Sequence, residues 1–308
     1  MRRIVLFFLL SGMLTACGEK GVELNPDKPQ QLDIVTTIKP IQAIVAAIVN
    51  DNVDSFQLIP DYASPHDYSF KPSDISRVKN ANIIFRIDEH MEVMLNPVFK
   101  NLNAKTRLVS LAEEGDIKLL PVTKASKAVK DDQHNHGNID FHIWTSPKNA
   151  IVMAKNIAKT LVELDPMNAS SYQQNLDIFS QKLHQVTSGF SKALVKAQHK
   201  QYIVFHDSWQ YFATEFQLQE PVVVNLHEGL TPGVKSVSEI RQKIETDDIG
   251  CIFYDQDVAP AQLALLSDKQ SVKTIEIDVL ARKLKVNKDT YLNWLQNMGQ
   301  QISACLNN

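Results

Sequence analysis

Short apolar runs alternate with segments of helical character along most of the chain. In the first half, the predicted strands are Leu32–Ile38, Ser55–Ile59, Asn82–Ile87 and Arg107–Leu111. The predicted helices between them are Ile41–Val49, a short helix from Pro72, and Glu89–Phe99. Alternation of strand and helix predicts an α/β fold, with a mainly parallel sheet flanked by helices on both faces.

The second half repeats this pattern. Its predicted strands are Tyr202–Phe205, Val222–Asn225, Cys251–Tyr254 and Val272–Ile277, and its predicted helices are Trp209–Phe216, Val237–Glu245, Pro260–Ser267 and Lys288–Leu306. A helix from Pro147 to Leu164 is followed by a second helix that starts at Asp165-Pro166 and ends near Gln198. At 1.5 Å per residue the second helix would be about 45 Å long. We expect two α/β lobes, 32–164 and 199–308, joined by one long rigid helix over 165–198.

The first 31 residues do not follow the alternation. Arg2 and Arg3 precede an apolar run, Ile4 to Met13, and then the segment Leu14-Thr15-Ala16-Cys17. This order is typical of an export signal, and its end resembles the lipobox of bacterial lipoproteins, in which Cys17 becomes the lipidated first residue. We predict a signal peptide over 1–16 and a lipidated tether over 17–31. A cleaved signal with a chance cysteine is the alternative, and both place the protein outside the cytoplasm, in the periplasm or at the cell surface.

Length, composition and charge narrow the functional classes. A chain of 308 residues suggests about two domains. The formal net charge of −3 argues against nucleic-acid binding, which usually needs a basic face. After residue 20, no apolar run reaches the roughly 20 residues that cross a bilayer.

The cysteines predict a disulfide, and one polar segment predicts a surface loop. If Cys17 is lipidated, Cys251 and Cys305 are left in an oxidising compartment, where we expect them to pair, with two free buried thiols as the alternative. The segment Lys124–Asn138 is polar and contains His134 and His136, so we predict a mobile surface loop there.

Three of the nine histidines stand in similar surroundings. His142 lies in Asp140-Phe141-His142-Ile143-Trp144, His66 in Ser64-Pro65-His66-Asp67-Tyr68, and His206 in Val204-Phe205-His206-Asp207. His66, His206 and Asp278 follow predicted strands directly or after one loop. Ligands of open parallel sheets bind beyond the carboxyl ends of the strands, so these residues are candidates for one site.

Zinc favours about four ligands, and neutral imidazole and carboxylate both suit it. His66, His142, His206 and Asp278 would supply such a set, two from each lobe. A lone histidine beside apolar residues is more often a structural residue, and His90, His184, His199 and His227 are interpreted in that way. Three histidines in matching positions make a zinc site about as probable as a structural role.

The same segments resemble a known family. Pro65-His66-Asp67-Tyr68 with Lys71-Pro72-Ser73-Asp74, Asp140 to Pro147, and Phe205-His206-Asp207 with Tyr211-Phe212 are similar to the histidine motifs of the zinc-binding proteins of bacterial zinc ABC importers. Ile275-Glu276-Ile277-Asp278 aligns with the segment that carries a C-terminal aspartate ligand in the wider class. The resemblance covers nearly the whole chain and implies two lobes with the metal in the cleft between them.

The resemblance also implies further roles and shows some departures. Asp67, Asp140 and Asp207 are candidates to orient the imidazoles, with the capping of a turn as the alternative. Glu92 stands where members carry a glutamate that can reach the site, and a solvated helix residue is the alternative there. The acidic loop and the Cys251–Cys305 pair both resemble the zinc branch. In that branch water can replace Asp278 as the fourth ligand. Phe141 stands where many members have proline, and the histidine loop is sparse.

These observations predict a monomeric protein that captures Zn²⁺ and delivers it to a membrane permease. No Walker motif occurs in the chain, so the ATPase of the importer would be a separate partner. Import of manganese or iron is the alternative within the same class. A metal-stabilised adhesin is another, and a zinc hydrolase is a third, although no H-E-x-x-H pair is present.

Overall fold

Two four-stranded parallel sheets provide the frame of the protein. They are seen in a computed structural model that describes residues 32–51, 53–123, 138–224, 233–268 and 271–308. The first sheet has the strand order β2-β1-β3-β4, with β1 (Ile34–Thr36), β2 (Ser55–Gln57), β3 (Ile83–Arg86) and β4 (Arg107–Ser110). All its neighbouring strands are parallel, and Val35 of β1 lies between Phe56 and Ile84. The prediction of a parallel α/β fold is confirmed.

Helices follow the strands of the first sheet. They are α1 (Lys39–Ile48), α2 (Pro72–Asn80) and α3 (Asn96–Phe99). Pro40 and Pro72 lie in the first turns of their helices, where the missing proline N–H has no intrahelical partner to lose. Helix α1 is buried along most of its length, because eight of its ten residues pack into the core.

The helix predicted over Glu89–Phe99 is wrong. Its first half is a turn that leads into a 3-10 helix, Val93–Leu95, and only α3 is α-helical. The Asp88 carboxylate accepts the backbone N–H of His90 at 2.9 Å, a side-chain bond that competes with the start of a helix. Pro97 then disfavours a helix that runs through it, because its ring clashes with the carbonyl four residues earlier.

A short antiparallel pair and two helices lead from the first sheet to the second. The pair is β5 (Leu120–Pro121) and β6 (Ile139–Asp140), and the helices are α4 (Pro147–Leu164) and α5 (Ala169–Ala197). Ser146 caps α4, since its hydroxyl accepts the N–H of Asn149 at 3.1 Å. Helix α5 has 29 residues and is about 43 Å long at 1.5 Å per residue. The predicted long helix is therefore present, with a 3-10 turn, Pro166–Asn168, at its start.

The residues before α5 form the N-terminal lobe, and those after it form the C-terminal lobe. The second sheet has the order β10-β9-β7-β8, with β7 (Ile203–Val204), β8 (Val222–Val223), β9 (Cys251–Tyr254) and β10 (Lys273–Glu276). Its helices are α6 (Gln210–Glu215), α7 (Val234–Thr246), α8 (Pro260–Ser267) and α9 (Thr290–Leu306). The limits 32–164, 165–198 and 199–308 stay a prediction.

One hydrophobic core runs through both lobes. It joins β1, α1, α4 and α5 to residues of α6, β9 and α9, while a smaller second cluster lies within the C-terminal lobe. Helix α5 packs on α1 and α4 at one side and on α9 at the other. The contact with α9 is close at Gly299, where an added Cβ would lie 2.7 Å from the Phe190 ring.

Two further features concern stability and membrane contact. Cys251 and Cys305 form a disulfide between β9 and α9, as expected from the sequence. Within the part of the chain that the structure covers, no helix combines the length and apolarity that a bilayer span requires. The predicted signal peptide, tether and Cys17 lie outside the described residues, and so does the segment from Lys124 to Gly137 with His134 and His136.

Candidate metal centre

Three imidazoles meet in the cleft between the lobes. His66, His142 and His206 each offer one nitrogen, and these three atoms lie within 4.8 Å of one another. The ring centroids are 5.4 Å apart for His66 and His142, 5.9 Å for His66 and His206, and 5.1 Å for His142 and His206. Nitrogens at this separation can bind one ion together, because zinc–nitrogen bonds are about 2.0–2.1 Å long.

Each histidine is placed by a different local structure. His66 lies on the long loop between β2 and α2, and the hydroxyl of Ser64 accepts its backbone N–H at 3.2 Å. His142 follows β6 and precedes the 3-10 helix Ile143–Thr145 that leads into α4. His206 follows β7, a central strand of the second sheet. The three side chains, far apart in sequence, are brought together by the packing of the two lobes.

Asp140 orients His142. Its Oδ1 accepts the backbone N–H of His142 at 2.9 Å and lies 2.7 Å from Nδ1 of the same ring. A carboxylate in this position fixes the tautomer, so that Nε2 is the nitrogen available to a metal. Tyr211 reinforces the arrangement, because its hydroxyl donates to the carbonyl of Asp140 and accepts the N–H of Leu120. The predicted role of Asp140 thus has direct geometric support.

Asp255 stands next to His206 and was not among the residues singled out from the sequence. Its Oδ2 lies 3.4 Å from Nδ1 of His206, and both side chains are largely buried. Asp255 follows β9, which pairs with β7, so the two residues share one edge of the sheet. The signal that pointed to His206 and Asp278, a polar residue just after a buried strand, is also present at Asp255.

The Asp207 carboxylate joins the two lobes, and its role at an imidazole stays a prediction. Its Oδ2 accepts a hydrogen bond of 2.7 Å from the hydroxyl of Thr123, which ties the C-terminal lobe to the end of β5. Burial raises the pKa of the Asp207 carboxyl, and the Thr123 bond opposes that rise. The Asp255 carboxylate, in comparison, lies 3.4 Å from Nδ1 of His206.

The Asp278 carboxylate is engaged by the backbone. Oδ1 accepts the N–H of Arg282 and Oδ2 accepts the N–H of Lys283, both at 2.9 Å. Asp278 lines the same cleft as the histidines, but it is not a member of the group whose ligand atoms lie within 4.8 Å of one another. Asp278 thus organises a turn beside the histidines, and its role as the fourth ligand stays a prediction.

Glu92 lies at the ends of two strands and bonds to none of the three histidines. Its Oε1 accepts from the Thr37 hydroxyl at 2.5 Å and from the N–H of Ile87 at 3.1 Å, and its Oε2 accepts from the N–H of Asp88 at 3.0 Å. Burial raises the pKa of this carboxyl to about 7, against the effect of these bonds. Glu92 thus joins the loops that follow β1 and β3, and its predicted role near the metal site stays a prediction.

Two other residues near the centre complete the comparison with the sequence. Asp67, predicted to orient an imidazole, is exposed to solvent. His90 was interpreted as structural, and the structure stacks its ring on Phe141 with an interplanar angle of 4° and centroids 5.7 Å apart. It thus borders the segment that carries His142.

Comparison with known proteins agrees with this geometry. The family described as "Zinc-uptake complex component A periplasmic" matches residues 34–305. The chain belongs to this family. The family's description places its members in the periplasm, as parts of an uptake complex.

Individual relatives match over nearly their whole length. The high-affinity zinc uptake system protein ZnuA of Yersinia pestis is 29% identical, over 92% of this chain and 93% of the relative. The protein of the same name from Brucella abortus (strain 2308) is 27% identical, over 99% of both chains. A solved structure described as the crystal structure of ZnuA has a TM-score of 0.76 and 25% identity, and it covers 89% of this chain and 99% of its own. The likeness therefore includes both lobes.

Proposed function

We propose that this protein captures zinc ions outside the cytoplasm and delivers them to the membrane permease of a high-affinity ABC importer. The observation that carries the proposal is the convergence of His66, His142 and His206 within 4.8 Å in the cleft between the lobes. Neutral imidazole suits zinc better than it suits manganese, which favours carboxylate oxygen. The relatives of the family bear names of high-affinity zinc uptake proteins, in agreement with this donor set.

In this proposal zinc is cargo, and the protein is not an enzyme. The three histidines supply three ligands, and the fourth is Asp278, which lines the same cleft, or a water molecule. Asp140 and Asp255 orient His142 and His206 by their contacts with the Nδ1 atoms. Such a site binds an ion and gives it up unchanged.

The partners follow from the same proposal. The ATPase is a separate protein, since no Walker motif occurs in the chain. The protein acts as a monomer that is exported by residues 1–16 and held at a membrane by a lipid on Cys17 and the tether 17–31. Cys17→Ser should release an exported, soluble protein, and membrane retention of that variant would contradict the anchor.

The segment 124–138 with His134 and His136 serves as an accessory loop that supplies none of the tight ligands. Its deletion should leave tight zinc binding unchanged, because the three converging histidines all lie outside it. Loss of tight binding on deletion would show that His134 or His136 is a ligand.

The function is tested by competition calorimetry on the metal-free protein, with zinc and manganese as rivals. Wild type should bind zinc far more tightly than manganese, and His142→Ala should weaken both metals. A preference for manganese would overturn the proposal. Growth of a deletion strain under zinc limitation separates import from an adhesin role, since only import predicts a growth defect that added zinc relieves.

A further inference from the structure

The guanidinium of Arg282 connects the two lobes at the wall of the histidine cleft. Its Nη1 donates to both oxygens of Asp257, at 3.0 and 2.8 Å. Its Nη2 donates across the cleft to the carbonyl of Ala63, at 3.3 Å. Ala63 lies three residues before His66, on the same loop. Arg282 therefore links the C-terminal lobe to the segment that carries one of the three histidines.

The backbone around Arg282 is fixed on several sides. The Asp278 carboxylate accepts the N–H groups of Arg282 and Lys283. The carbonyl of Asp278 accepts the indole N–H of Trp294 at 2.5 Å. Ala281 has a φ of 54°, in the left-handed region that residues other than glycine rarely adopt. Such a conformation persists where its surroundings hold it, so the turn presents Arg282 in one defined position.

Lys39 forms a second link beside the first. Its ammonium donates to Asp61 at 2.6 Å, and to the carbonyls of Arg282 and Leu284 at 3.0 Å each. The side chains of Lys39 and Arg282 are only 8% and 9% exposed, whereas their partners Asp61 and Asp257 are 46% and 42% exposed, so water screens these pairs from the carboxylate side. The segment from Asp61 to Ala63 is thus held at both of its ends, by Lys39 and by Arg282.

We propose that Arg282 is a positioning residue that sets how long zinc stays bound, because it holds the loop that carries His66 against the C-terminal lobe. The proposal rests on zinc binding by the three histidines. The Arg282 bond to Ala63 and the approach of His66 to His206, with ring centroids 5.9 Å apart, connect this loop to the opposite lobe. The loop must move before His66 leaves the ion, so the Arg282 bonds break before zinc dissociates. Loss of these bonds therefore speeds dissociation, while association changes little, because changes within one binding site act mostly on the dissociation rate.

The test compares zinc release from wild type, Arg282→Gln, Arg282→Lys and Asp257→Asn. Zinc-loaded protein is mixed with excess chelator, and the release rate is followed by stopped-flow fluorescence. Arg282→Gln should release zinc about tenfold faster, the change expected for one lost hydrogen bond from a charged group. Arg282→Lys keeps the charge but lacks the planar guanidinium that bonds to both oxygens of Asp257. Its release rate should therefore lie between those of wild type and Arg282→Gln. Asp257→Asn should also speed release, and the double variant should be no faster than Arg282→Gln.

Arg107→Gln is the matched control, because Arg107 pairs with Glu163 on the surface of the N-terminal lobe, away from the cleft. It should release zinc at the wild-type rate. The association rate should be the same in Arg282→Gln and Arg107→Gln, which a general loosening of the fold by loss of Arg282 would not predict.

Two results would overturn the inference: release at the wild-type rate from Arg282→Gln, or an equal acceleration in Arg107→Gln. Should Arg282→Gln fail to fold, the zinc release rates of Arg282→Lys and Asp257→Asn test the inference in its place. Failure of the proposed function is distinct from either result, since wild type itself would then bind no zinc tightly.

Discussion

The Asp255 carboxylate lies 3.4 Å from Nδ1 of His206, as the Asp140 carboxylate lies 2.7 Å from Nδ1 of His142. Two of the three imidazoles therefore have a carboxylate beside Nδ1: the buried Asp140 in the N-terminal lobe and the half-buried Asp255 in the C-terminal lobe. A carboxylate in this position raises the basicity of the ring and fixes its orientation. The pairing distinguishes Asp255 from Asp207, the immediate sequence neighbour of His206.

Asp255→Asn should weaken zinc binding by about 10- to 100-fold, the usual effect of losing a carboxylate that orients a metal-binding histidine. Asp207→Asn is the control, because the Asp207 side chain bonds to Thr123 and an amide oxygen can still accept that bond. Zinc affinity measured by competition with a chelator compares the two variants. Equal losses in both would show that Asp255 has no special relation to His206.

His206→Glu should narrow the preference for zinc over manganese. The change replaces an imidazole nitrogen by a carboxylate oxygen, which suits manganese better. Calorimetry with both metals on wild type and variant gives the ratio of affinities. His142→Ala serves as the comparison, since it removes a ligand without adding an oxygen and should weaken both metals. Unchanged selectivity in His206→Glu would exclude His206 from the ligands.

Glu92 should make folding stability depend on pH. Its pKa is raised from 4.5 to about 7 in the folded protein, so between these values the folded state holds a proton that the unfolded state has lost. The free energy of unfolding of wild type, relative to Glu92→Gln, should therefore fall as the pH rises from about 4.5 to about 7, by about 3 kcal/mol in total. Urea unfolding across this range measures the difference. Glu163→Gln, at an exposed glutamate, should show no such fall.

Replacement of Cys251 and Cys305 by alanine should lower the free energy of unfolding by about 4 kcal/mol. The disulfide closes a loop with a sequence separation of 54 residues, and the chain-entropy model gives this value for such a loop. Urea unfolding without reductant compares the variant with wild type. A reducing agent should destabilise wild type and leave the variant unchanged. The same loss in both would point to a general effect of the reagent.

Gly299→Ala should destabilise the fold, because the new methyl group would lie 2.7 Å from the buried Phe190 ring. Overpacking of this kind costs about 1–3 kcal/mol. Gly189→Ala is the matched control in the facing helix, where a Cβ would meet nothing within 4 Å. That change should stabilise the protein by about 1 kcal/mol through helix propensity. Thermal unfolding of both variants checks the opposite signs.

The sequence was sufficient for the fold because the apolar runs and the helical segments alternate without ambiguity. The bounds of α4, Pro147–Leu164, match the prediction, since Pro147 marks the start and Asp165-Pro166 the end. The segment Glu89–Phe99 was misjudged because the bond from Asp88 to the His90 N–H depends on a side chain that competes with the helix. Helix propensity alone does not take such a side-chain bond into account.

The candidate centre was predicted in part. The three histidines could be found because each has a motif of its own and they follow separate strands or loops. The turn at Asp278 could not be foreseen, since its two backbone bonds come with a left-handed backbone at Ala281, and the ligand role of Asp278 stays a prediction. Asp255 was missed although it directly follows a buried strand, because acidic residues in such positions are common and the neighbour in space, His206, is not a neighbour in sequence.

The shared core constrains the transport cycle. Trp144 of the N-terminal lobe is buried, donates its indole N–H to the Val279 carbonyl at 2.9 Å, and accepts the Tyr291 hydroxyl at its own carbonyl at 2.7 Å. Separation of the lobes would expose this tryptophan to water and break both bonds. Each round of transport that separated them would therefore require the free energy of both changes. The protein thus has no inexpensive route to a wide-open form. The release of zinc therefore depends on the importer, whose ATPase must supply the free energy that separates the lobes.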